Sequence, residues 1–377
     1  MRTVTKSKGI LTAAVLFALL FSSSPAQGQT VARRGQDAPQ TTGGPVRIPS
    51  RASTPFFTGK QGHQKTEIHY DPATHLVTLK LLVQDPNSYF IPNIRRENFV
   101  VYENGVRQQI ASVDVDDAPV SAGLLLEFGG RYLPLNRVLA VDTPRAAQQF
   151  LDAMTRNDKI AIWKYAAKVE MVSDFSQDRD QLATRILTLD NPEFSETNLY
   201  DAATATIDQM RQIKGRKAIV LISSGLDTFS KATHDDTLKA AQASDSPIYA
   251  IGLSDCLRQI TETENPGEPV AKIDWRAAES NLSDLATASG GRAYFPKNTV
   301  DLSPMYFDLL ENLKVRYIVT YRSSTEADLN SPRTVRVDLI DAQSGGPLQI
   351  VDTQGKKIYA QVLLQQSYIP TQAAEGN

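Results

Sequence analysis

Cysteine is almost absent from this chain: Cys256 is the only one in 377 residues. No intrachain disulfide and no multi-cysteine zinc site can therefore form. Histidine is scarce too, at four residues, which is few for a metalloenzyme or a proton-transfer catalyst. His63, His69 and His75 are evenly spaced, but they lie in or beside a Gly/Pro/Thr-rich stretch without a fixed scaffold, and the spacing reads as chance. No charge of one sign dominates. A formal net charge of -2 provides neither a basic field for nucleic acid nor an acidic tail. Past the N-terminus no apolar stretch approaches membrane length.

The one apolar run that does occur has the shape of an export signal. Arg2, Lys6 and Lys8 precede the run Ile10 to Phe21, Ser22 to Pro25 break it, and Ala26-Gln27-Gly28 offer small residues for cleavage. Residues 1–28 are expected to be removed, leaving a periplasmic or secreted protein without a membrane span. Residues 29–74 carry few apolar side chains and read as a disordered linker.

From there the pattern changes. Val77 to Val83 alternates as a strand, Asn98 to Tyr102 is a second, and Glu103-Asn104-Gly105 is a hairpin signal leading to a returning strand, Val106 to Val115. From Gly123 to Leu313 short apolar runs alternate with amphipathic segments. Strands are expected at Gly123–Leu126, Lys159–Tyr165, Lys217–Ile222, Pro247–Gly252 and Ala293–Phe295, with Val169–Phe175 beside the second. Helices are expected at Thr143–Met154, with Pro144 in the first turn, and at Asp178–Leu189, Leu199–Ile213, Asp235–Ala243, Trp275–Ser289 and Ser303–Leu313. This alternation predicts an α/β fold of doubly wound type, a mostly parallel sheet with helices on both faces. Beyond Lys314 the strands Arg316–Tyr321, Thr334–Ile340 and Lys357–Leu363 return to a β pattern. Neither terminal set suffices alone, so residues 75–118 and 314–368 are expected to build one small β-sandwich around an inserted domain at 119–313, with a disordered tail at 369–377.

Several segments together resemble the von Willebrand factor type A domain, and most closely the signal-peptide-bearing VWFA-related proteins of acidobacteria. They are Asn98 to Gly105, Ala122 to Glu127, Asp158 to Ile162, Asp174 to Asp178, Glu196 to Ala202, Lys217 to Asp227, Ser289 to Tyr294 and Tyr317 to Tyr321. The resemblance spans residues 75–368 and implies a metal-ion-dependent adhesion site at the carboxyl ends of the strands. In that family Mg²⁺ is held by an Asp-x-Ser-x-Ser motif, a Thr and a later Asp. Here those positions read Glu127, Gly129, Arg131, Thr197 and Ser224, with Asp227 three residues on. Gly129 and Arg131 remove both hydroxyl ligands, and a cationic Arg131 beside the metal position opposes Mg²⁺. The expectation is a degenerate adhesion site that uses no cofactor. Arg131 either stands in for the cation, pairing with Glu127 or Asp227 and offering its other donors to an acidic partner side chain, or points into water from a drifted loop.

Nothing points to catalysis. No histidine is placed to activate a serine, Cys256 has no histidine near it, and the glycines after Glu127 lack phosphate-loop or dinucleotide spacing. The carboxylate clusters, such as Asp235-Asp236, lie in polar stretches. A non-enzymatic module for adhesion or protein binding is expected, with Glu127, Gly129, Arg131, Thr197, Ser224 and Asp227 on the face that meets a protein or peptide of the cell envelope or exterior. The alternative is an envelope assembly or scaffold protein that uses the β-sandwich or its sheet edges.

Overall fold

The computed structural model describes residues 45–48, 57–58, 66–116, 118–131, 133–192, 194–264, 273–300, 302–314, 316–325 and 328–374. The export signal read at residues 1–28 lies outside them. Among the described residues no helix is long and apolar enough to cross a membrane.

The apolar runs become the central strands of a seven-stranded sheet. Its order is Val169–Ser176, Lys159–Tyr165, Ser121–Glu127, Lys217–Ser223, Ile248–Gly252, Arg292–Tyr294 and Phe57–Thr58. The strands from Lys159–Tyr165 to Arg292–Tyr294 run parallel, and the two edge strands are antiparallel to their neighbours. In chain order the helices are α1 (Leu133–Ala153), α2 (Arg179–Leu187), α3 (Leu199–Met210), α4 (His234–Ala243), α5 (Ser254–Glu264), α6 (Trp275–Ser289) and α7 (Ser303–Lys314). Strand side chains alternate between faces. Leu124, Leu126, Ile162 and Val220 therefore pack with α1, α2 and α7, while Leu125, Trp163 and Leu221 pack with α3 and α6. This is the doubly wound architecture expected from the alternation.

Several local expectations need correction. Helix α1 begins at Leu133, ten residues before Thr143, and Pro144 lies inside it. An interior proline costs a helix roughly 3 kcal/mol. Burial of Leu135, Val138 and Leu139 against the sheet offsets that cost at about 2 kcal/mol each. Helix α5 was not anticipated. Residues 29–74 are not simply a linker: Val46–Ile48 pairs in parallel with Ile350–Asp352, Phe57–Thr58 caps the large sheet, and Glu67–Asp71 pairs with Leu76–Gln84. Nor is 369–377 wholly a tail, because Pro370–Ala374 is helical.

Strands from both sides of the α/β unit pair with one another. Arg316–Arg322 lies between Leu76–Gln84 and Gln109–Asp116 in a five-stranded sheet. Arg333–Leu339 pairs with Phe99–Glu103 in a four-stranded sheet. Both sheets contribute to a single core, through Leu79, Leu81, Tyr317 and Val319 of the first and Phe99, Val101, Val335 and Val337 of the second. Two strands read as continuous are broken where the chain passes between sheets. Val106–Arg107 and Gln109–Asp116 separate at buried Gln108, and Lys357–Ile358 separates from Gln361–Leu363.

A polar cluster pins this sandwich. Glu103, fully buried, accepts from Tyr321 Oη at 2.7 Å, Tyr368 Oη at 2.8 Å and Ser323 Oγ at 2.6 Å, and faces Arg333 Nη1 at 3.5 Å. Burial alone would raise its pKa, but those hydrogen bonds outweigh it and hold the carboxyl below its ordinary value. At the base of the α/β sheet, Arg216 bonds Asp116 and Lys314 O, and Arg292 bonds Asp308 and Ser88 O. These contacts tie the α/β unit to the strands around it.

Candidate functional site at the carboxyl edge

Open α/β sheets bind ligands beyond the carboxyl ends of their strands. Here those ends are occupied by a buried carboxyl group. Glu127 closes the strand Ser121–Glu127 and is 1% exposed. Its Oε1 accepts from Ser224 Oγ at 2.8 Å, and its Oε2 accepts from Ser224 N–H at 2.5 Å and Ser223 Oγ at 2.8 Å. Tyr165 Oη lies 2.8 Å from Ser223 Oγ and 3.5 Å from Oε2. Burial dominates the electrostatics and, against the hydrogen bonds from Ser224, Ser223 and Tyr165, pushes the Glu127 pKa up to about 7. Burial and the nearby Glu127 also hold the Tyr165 phenol well above its ordinary value.

The other expected positions separate into different roles. Thr197, buried, donates from Oγ1 to Gly129 O at 2.7 Å, so it ties the first loop down. Gly130 O accepts from Asn136 Nδ2 at 3.0 Å. Asp227 does not face Glu127. It accepts from Tyr200 N–H at 3.2 Å at the start of α3 and from Ser230 Oγ at 2.5 Å. Arg131 pairs with neither Glu127 nor Asp227: its exposed guanidinium bonds Glu196, the residue before Thr197. The expected pairing of Arg131 with Glu127 or Asp227 is thus corrected: the side chain is largely exposed to water, as the alternative reading had it, and is held there by Glu196. Glu127 sits too deep beneath Ser223 and Ser224 to be reached.

Thr197 N–H donates to Thr228 Oγ1 at 2.8 Å, and Thr228 N–H donates to Thr197 O at 2.8 Å. This junction joins the loop before α3 to the loop after Lys217–Ser223. Gly225 makes the second loop possible. Its φ is +84°, and a Cβ there would lie 2.1 Å from Ala278 O of α6. Each loop presents an exposed phenylalanine beside the junction: Phe194 is 67% and Phe229 75% exposed. The sequence reading missed both, together with Tyr165, Ser223, Glu196 and Thr228. A large apolar residue in a polar loop was the available signal for the phenylalanines.

Elsewhere, His234 opens α4 against the Tyr200 ring, with its Nδ1 3.6 Å from Asp235 and its Nε2 3.5 Å from Asp284. Cys256 Sγ donates to Pro296 O at 3.3 Å, and burial pushes its pKa up to about 12, which keeps it a thiol. Among the described residues no three His, Cys, Asp or Glu side chains are grouped to hold a metal ion.

No family model and no curated protein matches the sequence. Solved structures are similar at low identity. The vWF domain of the type V pili tip protein Mfa5 from Porphyromonas gingivalis is 12% identical, with 52% of this chain and 97% of that one covered and a TM-score of 0.39. An aerotolerance-related membrane protein from Bacteroides fragilis is 14% identical, with 52% and 98% covered and a TM-score of 0.38. The ArnB paralog VWA2 from Sulfolobus acidocaldarius is 14% identical, with 81% and 73% covered and a TM-score of 0.37. The chain's own strand order, five parallel strands with an antiparallel strand Val169–Ser176 at one edge and helices on both faces, makes the α/β unit a doubly wound fold of the kind that the sequence resemblance implied.

Proposed function

We propose that this is an exported, non-enzymatic binding module that recognises a protein or peptide of the cell envelope or exterior through its carboxyl-edge loops, without a divalent cation. The observation that carries the reading is the Thr197–Thr228 junction of two loops, each of which carries an exposed phenylalanine within three residues of it, Phe194 and Phe229, together with the exposed Arg131–Glu196 pair. Aromatic side chains and arginine are the residue types that dominate binding energy at protein interfaces. Export rests on the N-terminal pattern of Arg2, Lys6 and Lys8 followed by Ile10 to Phe21.

The residues at the adhesion-site positions do not fit a hard cation. Both oxygens of Glu127 are taken by donors of Ser223 and Ser224, Asp227 is engaged by Tyr200 and Ser230, and Gly129 and Arg131 offer no hydroxyl. The chemistry left to the face is recognition. Its one buried acid is sealed from solvent, and the Cys256 thiol is buried and bonded to Pro296 O.

A photo-crosslinking amino acid placed at Phe194 or Phe229 in the producing cell tests this reading. Discrete adducts from both positions, lost on Arg131→Glu, are expected. Adducts that arise only from a distant position such as Tyr359 would move the site off this face.

A further inference from the structure

Strand Arg333–Leu339 is paired along one side by Phe99–Glu103. On its other side only the ends are occupied. Arg333 and Thr334 face Tyr368 and Ser367, Val335 N–H donates to Gln366 O at 2.8 Å, and Leu339 O accepts from Leu348 N–H at 3.1 Å. The peptide groups of a strand address its two sides alternately. Thr334 O accepts from Asn104 N–H and Ile340 N–H donates to Asn98 O, so the even-numbered residues address Phe99–Glu103. Val337 therefore addresses the opposite side, and among the described residues neither its N–H nor its C=O has a partner there. Yet Val337 is only 5% exposed. A peptide group so placed needs a hydrogen-bonding partner within the space it faces.

That space is a cleft of two lobes, about 790 and 600 Å³, which meet at Val337 and Val362. Leu339, Leu348 and Ile358 line one lobe, and Val335 and Leu364 the other. Val362 belongs to Gln361–Leu363, the terminal strand of the five-stranded sheet. The cleft thus separates the open edges of the two sheets. The sheet edge of a second copy would meet Gln361–Leu363, whereas a lone extended segment passes between the walls. Lys357 lines the larger lobe, is exposed, and has no ion pair among the described residues, while Arg336 is matched by Asp338 at 3.0 Å.

We propose that this cleft accepts an extended segment of a partner protein as an added strand beside Val335–Leu339, with apolar side chains at alternate positions and a carboxylate facing Lys357. Peptide-to-peptide hydrogen bonds at Val337 would hold it, and the apolar walls would select its inward side chains. The open stretch, four rises from Val335 to Leu339, is about 13 Å long and matches roughly five residues of partner. The site is distinct from the carboxyl-edge face and stands whether or not that face binds anything.

The test uses the ¹⁵N-labelled full exported chain and a synthetic probe, acetyl-Thr-Val-Thr-Val-Asp-Val-Thr-amide, at about millimolar concentration. Amide exchange at Val337 is expected to slow at least about tenfold. Lys357→Glu should weaken the probe about tenfold and Arg131→Ala should leave it unchanged. Unaltered exchange at Val337, or equal binding of the same peptide N-methylated at alternate residues, would overturn the proposal.

Discussion

Ser224 holds both carboxyl oxygens of Glu127, its hydroxyl 2.8 Å from Oε1 and its backbone N–H 2.5 Å from Oε2. Hydroxyl and amide donors therefore surround the acid at the head of the sheet, and each consequence can be measured.

The first concerns pH. Below about pH 4.5 Glu127 is protonated in both folded and unfolded chains, so it makes no difference to stability. Its folded pKa is raised to about 7. As pH climbs toward that value the unfolded chain releases its proton first, and stability falls. The loss is complete above about pH 8 and is on the order of 3 kcal/mol. Glu127→Gln removes this dependence. Urea unfolding should show the variant gaining roughly 2–3 kcal/mol on the wild type between pH 5 and pH 8. A constant difference across that range would contradict the assignment.

Divalent metal should leave the fold unaffected. Titration with Mg²⁺ or Mn²⁺ is expected to give no saturable change in Tm. A rise of several degrees would mean that a ligand set forms which the hydrogen bonds around Glu127 do not allow.

Arg131→Ala should separate binding from stability. The Arg131–Glu196 pair is surface-exposed, with the guanidinium 62% accessible, so its loss should change unfolding free energy by less than about 1 kcal/mol. Crosslinks from Phe194 and Phe229 should nonetheless diminish. A variant that unfolds and loses its partner together would assign Arg131 to the scaffold.

The sandwich should fail through Glu103. Glu103→Ala strips the acid from a cluster of Tyr321, Tyr368, Ser323 and Arg333, and leaves a buried guanidinium without its carboxylate. A destabilisation of about 3–5 kcal/mol is expected by chemical denaturation. Because the folded pKa of Glu103 lies below 4.5, its contribution is present above that pH and lost as pH falls further. The variant should therefore lose most of its deficit in acid.

The central strands were legible because a strand buried on both faces has no polar residue to confuse it, as in Ala218 to Ile222. Helix α6 was legible for its end: Gly290, at φ +87°, marks the left-handed cap. Val46–Ile48 was not, since three residues with two apolar positions gain meaning only from Ile350–Asp352, some three hundred positions away. At the site, the identity of the altered ligand positions could be read directly, but their partners could not. Arg131 chose Glu196 over Glu127 because the loop before α3 folds over Gly129, a tertiary event that no local spacing encodes.

The pairing of Asp116 with Arg316 places the entry and exit of the α/β unit on adjacent antiparallel strands, about 5 Å apart. Its departure and return are thus no wider than a tight hairpin. The unit is detachable in the sense that a two-residue turn could replace residues 117–315 without asking either flanking strand to move. The same spacing would admit a different domain whose termini lie equally close, while the contacts of Arg216 with Asp116 and of Arg292 with Ser88 O belong to the present one.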